Sequence, residues 1–207
     1  MKRISIFVLV VLLATAGYSQ QFGIGLKGGL NFPTVDALGV DDGVQLSDRE
    51  GASGYHVGAF ARFKFSKIGI QPELLYSFQS FEFNAEDINT NDIGTVTQDI
   101  SYLTVPVMLR LYLAAGINLQ VGPQFGFFLN GDRTVEGIAN DVVQDPTETL
   151  KGTDVGINVG AGWDLPFGLD IHARYTFGVQ DVSETTNEAK NSMIQLSLGY
   201  ALVNLGK

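Results

Sequence analysis

Beyond residue 20 the chain alternates apolar and polar side chains with a period of two, and the alternation recurs in about eight segments. In the stretch 21–32, QFGIGLKGGLNF, the even positions hold Phe22, Ile24, Leu26, Leu30 and Phe32, and the odd ones hold Gly23, Gly25, Lys27, Gly29 and Asn31. A strand so patterned has one apolar and one wet face. The apolar face is bulky and aromatic, whereas the other is small or ionisable. A sheet built from such strands turns its greasy side outward, which suits lipid, and it must close on itself because lipid cannot satisfy a free edge.

The alternation predicts strands at about 21–33, 54–65, 68–80, 100–113, 117–130, 153–165, 169–180 and 192–203. Three connections are tight turns: SK at 66–67, AAG at 114–116 and PFG at 166–168. The other four, around 34–53, 81–99, 131–152 and 181–191, are longer and polar. Short turns at one end and long connections at the other belong to small outer-membrane barrels. The fold expected is all-β: an eight-stranded antiparallel up-and-down transmembrane β-barrel, with both termini on the periplasmic side because the strand number is even.

The N-terminus gives the delivery route. Lys2 and Arg3 precede an apolar run from Ile4 to about Ala16, and the small residues Gly17 and Ser19 follow it. The run is short for a membrane-spanning helix, so 1–19 reads as a secretory signal peptide and 20–207 as a single barrel domain.

Composition narrows the chemistry. The 207 residues include 25 Gly, 14 Phe and 7 Tyr but no Cys, which excludes disulfides and thiolate metal sites despite the export signal. A net charge of −9 argues against nucleic acid, which needs clustered Lys and Arg. The negative charge is concentrated in the long connections. They hold, for example, Asp36, Asp41, Asp42, Glu82, Glu86, Asp87, Glu136, Asp141, Asp181 and Glu184, and their sum exceeds that of the whole chain. Asp87, Asn89 and Asn91 imitate the first half of a calcium loop, but Asp92 replaces the needed glycine and Gln98 the bidentate Glu. No cofactor or metal is expected.

Aromatic residues on the outward parity gather at predicted strand ends, as two girdles at the lipid–water boundaries require. They are Phe22, Phe32, Tyr55, Phe63, Tyr76, Phe78, Phe125, Trp163, Tyr175, Phe177 and Tyr200. A soluble two-sheet sandwich would not sort its aromatics this way. The opposite parity describes a charged lumen. Arg62, Glu73, Arg110, Asp154, Asp170 and Arg174 lie on it, with amides and glycines between. Eight strands leave an interior only wide enough for side chains to fill, and buried charges there must be paired. The expectation is an ion-paired plug built around Glu73, Arg110, Arg174 and Asp154. Such a lumen is unlike the apolar pocket of a soluble ligand-carrying barrel.

The strings QPELLYS at 71–77, YLTVPVMLRLY at 102–112, LQVGPQFGFFL at 119–129, VGINVGAGWDL at 155–165, ARYTFGV at 173–179 and IQLSLGY at 194–200 resemble the PorT-like outer-membrane β-barrel family of diderm bacteria. The resemblance implies an eight-stranded outer-membrane barrel, in a family whose founding protein serves protein export. The C-terminal GYALVNLGK departs from the aromatic ending usual in such barrels.

The function expected is that of a monomeric, non-enzymatic structural or interaction protein of the outer membrane. Its environment would be membrane lipid and lipopolysaccharide, and surface or secretion proteins its partners. The alternative is a narrow channel or an accessory of a secretion machine. An outer-membrane lipid enzyme would want its base near the lipid face, whereas His56 and His172, the chain's two histidines, share the lumen parity. A His/Ser pair would count only on geometry.

Overall fold

In the computed structural model the described residues are 20–35, 44–87, 93–136, 153–179 and 191–206. They form eight antiparallel strands: β1 Gln20–Val35, β2 Val44–Phe65, β3 Ile68–Asp87, β4 Ile93–Tyr112, β5 Ile117–Glu136, β6 Thr153–Asp164, β7 Leu169–Gly178 and β8 Asn191–Leu205. Each pairs with the next, and β1 pairs with β8 to close the barrel. The predicted signal segment 1–19 lies outside the described residues, as do Asp36, Asp41 and Asp42.

The three tight turns fall where the sequence places them, and with the two termini they define one end of the barrel, the turn end. Ser66 opens its two-residue turn at φ 55°, the positive value that matches the twist of hairpin strands. Gly116 follows Ala115 at φ 83°, and a Cβ there would meet the Asp164 carbonyl oxygen at 2.1 Å. Only glycine fits that corner.

Alternation does the sorting that the sequence predicts. Ile24, Leu26, Leu30, Val57, Leu74, Leu109, Val121, Ile157, Val159 and Leu196 point outward and are exposed, whereas Lys27, Asn31, Gln71, Glu73, Arg110, Asn158 and Arg174 point inward and are buried. All eleven predicted girdle residues lie on the outward face. Phe22 packs on Phe63 at 5.0 Å between ring centroids near the turn end; Tyr55 on Phe78 at 5.3 Å and Tyr175 on Phe177 at 4.5 Å lie toward the other.

The strands are longer than the lipid-facing pattern predicts. Segments 44–53, 81–87, 93–99 and 131–136, expected as connections, are paired strand, with β3 and β4 in register out to Glu86 and Ile93. On β3, β4 and β5 the cause is an inversion of polarity. In β3 the outward residues run Leu74, Tyr76, Phe78 and then change to Ser80 and Glu82, while Phe81 turns inward and is buried. In β4 Leu103 and Val105 lie on the outer face nearer the turn end, and beyond them the outward positions are Ser101 and Asp99, with Ile100 buried inside. In β5 a register shift opposite Ser101 and Tyr102 leaves Leu129 over, so that outward Phe127 and Leu129 give way to Asn130 and Asp132. Apolar outside and polar inside suits lipid; the reverse suits water. A search for outward apolar residues therefore stops where the sheet leaves lipid, although the backbone pairing continues.

β8 also runs past the predicted end. A bulge opposite Ile24 and Gly25 leaves Leu202 over and carries pairing on to Leu205.

The lumen network as candidate functional site

Two clusters of charge fill the lumen from the turn end to its middle, and one glutamine joins them. At the turn end Arg62 donates to Asp164 at 3.0 Å and makes a two-nitrogen pair with Asp170. Arg110 pairs with Asp164 Oδ1, and the oxygen that Arg62 uses, Oδ2, also accepts from the Tyr112 hydroxyl at 2.9 Å. Deeper in, Glu73 accepts from Lys27 at 2.9 Å and from both terminal nitrogens of Arg174 at 2.8 and 2.6 Å. The Gln71 carbonyl oxygen accepts from Arg62 at 2.8 Å and Arg110 at 2.6 Å, while its amide donates to Glu73 at 2.7 Å. Four cations and three carboxylates are thereby held in one hydrogen-bonded body.

Of the residues predicted for the plug, Arg62, Glu73, Arg110, Asp170 and Arg174 meet in this body. Asp154 does not join them. The carboxylate beside Arg110 is Asp164, at the opposite end of β6, whereas Asp154 pairs with Gly126 near the start of that strand. Ten residues of strand separate the two by about 33 Å. Parity gave Asp154 the correct face but not its height. Lys27, Gln71 and Asp164 are the partners that parity alone did not single out. Their signal is distance from a turn: Asp164 and Asp170 flank 165–168 as register partners, and Arg62 and Arg110 each lie a few residues from a turn.

The neutral part of the lumen is equally connected. Arg174 Nε donates to the Gln120 carbonyl oxygen at 2.8 Å, and the Gln120 amide contacts Asn118 Oδ1 and His172 Nδ1, both at 2.8 Å. Further from the turn end His56 contacts Asn31 Oδ1 through Nδ1 and Ser197 Oγ through Nε2, each at 2.8 Å. Leu75, Met108 and Met193 supply fully buried apolar side chains among these amides. Among the described residues no three metal-ligating side chains come together. Among the described residues no helix is long and apolar enough to cross a membrane, and in lipid a closed barrel with this outer face spans by its strands.

The family model for the outer membrane protein beta-barrel domain matches residues 18–184. The chain belongs to that family. The match covers β1 to β7, and β8 completes the ring. Among solved structures, Ail, the attachment invasion locus protein of Yersinia pestis, is similar at 11% identity and a TM-score of 0.46, with 89% of this chain and 99% of that one covered. Neisserial surface protein A is similar at 8% identity and a TM-score of 0.44, with 87% and 97% covered. No curated protein sequence matches.

Proposed function

We propose that this protein is a monomeric structural and interaction protein of the outer membrane. Its turn end and termini face the periplasm, and its long acidic hairpins form the surface that meets partners outside the cell. The observation that carries this reading is the inversion of polarity on β3, β4 and β5. Beyond the lipid the outward wall presents Glu82, Asp99, Asp132 and the threonines Thr97 and Thr134, a hydrated surface rather than a membrane one. Residues 1–19 serve as the signal peptide, and the PorT-like strings favour kinship with the PorT-like barrels. The lumen body argues against conduction, because Gln71 and Glu73 are engaged from both sides and eight strands leave no spare width.

The chain has no cysteine of its own, so single thiols can report orientation. Asp132→Cys should react with a membrane-impermeant maleimide on intact cells, and Lys67→Cys only after the outer membrane is opened. Neutralising Glu82, Asp99 and Asp132 together should then abolish surface adhesion or partner capture while the barrel still folds. Labelling of Lys67→Cys on intact cells, or capture unaffected by neutralisation, would refute the reading.

A further inference from the structure

The contacts of His56 have a direction. Asn31 Nδ2 donates to the Tyr55 carbonyl at 3.2 Å and to Ser77 Oγ at 2.9 Å. A carbonyl only accepts, so the amide nitrogen must face it, and Asn31 Oδ1 is left as the acceptor for His56 Nδ1–H at 2.8 Å. In a neutral imidazole the other nitrogen is then the acceptor. Nε2 therefore takes the Ser197 hydroxyl hydrogen at 2.8 Å. A serine hydrogen-bonded to a histidine that is oriented by a third group is the arrangement that activates a nucleophile.

The barrel is built to permit this contact. His56, Gly29 and Ser197 are consecutive partners across β2, β1 and β8. A Cβ on Gly29 would lie 2.8 Å from His56 Cε1 and 2.1 Å from the Leu196 carbonyl oxygen. The missing side chain lets the imidazole cross over β1 to reach Ser197. The next partner along the same row, on β7, is His172. Arg174 fixes the Gln120 amide so that its nitrogen faces His172 Nδ1, which makes Nε2 the protonated nitrogen of that ring. This buried Nε2–H has no hydrogen-bond partner. Directly paired strand residues have Cβ atoms about 4.5–5.5 Å apart, so the residue that carries this unused donor is the serine's neighbour across β7 and β8.

We propose that Ser197 is a nucleophile for uncharged carboxylic esters with slender acyl chains, with His56 as general base, Asn31 as the residue that positions it, and His172 Nε2–H as the donor to the oxyanion. Ser197 Oγ adds to the ester carbonyl as its proton passes to His56, and the carbonyl electron pair moves onto oxygen beside His172. Collapse breaks the bond to the alcohol, which leaves with the proton from His56. Water then repeats the sequence on acyl-Ser197 and releases the acid. Met193 and Gln195, both buried, separate Ser197 from the long-hairpin end on the same face, so an ester enters only when these two side chains move aside. Methionine is the side chain best able to swing aside.

The test uses the barrel refolded in lipid, an alkyl fluorophosphonate as probe, peptide mass spectrometry to locate the label, and p-nitrophenyl butyrate as substrate. Ser197 should be labelled, Ser197→Ala should abolish both labelling and turnover, and His56→Gln should slow labelling at least 10-fold in a barrel that still folds. Met193→Ala, by opening the route, should speed it at least 3-fold. In Asn31→Ala the imidazole 15N shifts should show His56 losing its Nδ1–H tautomer, with labelling slowed in parallel. Folded wild type and folded Met193→Ala both left unlabelled, or a His56→Gln rate equal to wild type, would overturn the proposal.

Discussion

Arg174 and Glu73, 101 residues apart in sequence, meet inside the barrel through two parallel hydrogen bonds of 2.8 and 2.6 Å, with neither side chain exposed. Lys27 donates to the same carboxylate at 2.9 Å. One anion therefore neutralises two cations, and its removal leaves both in a dry interior. Breaking a buried pair on one side costs about 3–5 kcal/mol, whereas replacing the whole group by apolar residues of similar volume is often neutral. Glu73→Ala should lower stability by about that amount, and the triple variant Lys27→Met, Glu73→Leu, Arg174→Met should recover most of it. Urea unfolding in lipid vesicles, followed through the fluorescence of the single Trp163, measures both. Equal midpoints for wild type and Glu73→Ala would mean that Glu73 neutralises nothing.

The polarity inversion locates the membrane boundary on β3, β4 and β5. Leu109 lies on the outward face of β4 within the apolar zone, and Thr97 lies on the same face beyond Asp99. An arginine facing mid-membrane lipid costs about 2–4 kcal/mol, falling to about 0–1 near the interface. Leu109→Arg should therefore destabilise strongly in vesicles and Thr97→Arg hardly at all. Comparable losses at both positions would put Thr97 in lipid and the boundary further out.

What the sequence discloses about this molecule follows from what a period of two encodes. It separates inward from outward residues, so the ring of eight strands, the outward face of the girdle candidates and the lumen parity of Arg62, Glu73, Arg110, Asp170 and Arg174 were legible. It says nothing about height, which depends on register and strand tilt around the ring. That is why Asp154 and Asp164, on the same face of the same strand, were not distinguished as partners of Arg110. Nor could Gly29 be recognised as the gap through which His56 reaches Ser197, since the three residues are brought together only when β8 closes onto β1. The extensions of β3 to β5 were missed for a different reason: their outward residues are polar because that part of the sheet faces water.

Beyond the boundary, Asp99 on β4 and Asp132 on β5 are direct register partners on the outward face, and Ser80 donates to Asp99 at 2.5 Å. Like charges directly opposite on neighbouring strands are destabilising, on the scale of about 0.2–1 kcal/mol for such pairs. Asp132→Asn should raise the unfolding free energy by an amount in that range, and the gain should shrink in high salt as screening removes the repulsion it relieves. A midpoint unchanged at low salt would show that the two carboxylates are turned apart into water.

The lumen body decides whether ions can cross. Eight strands enclose a space that side chains fill, and here the filling is tied together: Gln71 links Arg62 and Arg110 to Glu73, which in turn holds Lys27 and Arg174. An ion path would require these groups to part, which exposes unpaired charge and costs several kcal/mol at each step. Purified protein in planar bilayers should accordingly show no stable conductance under a moderate applied voltage. Arg110→Ala removes one link at the turn end but leaves the Glu73 cluster closed, so it should remain silent as well. Reproducible ion-selective current in the wild type, altered in size or selectivity by Arg110→Ala, would mean that the lumen opens in the membrane, and the channel reading would then displace the interaction protein.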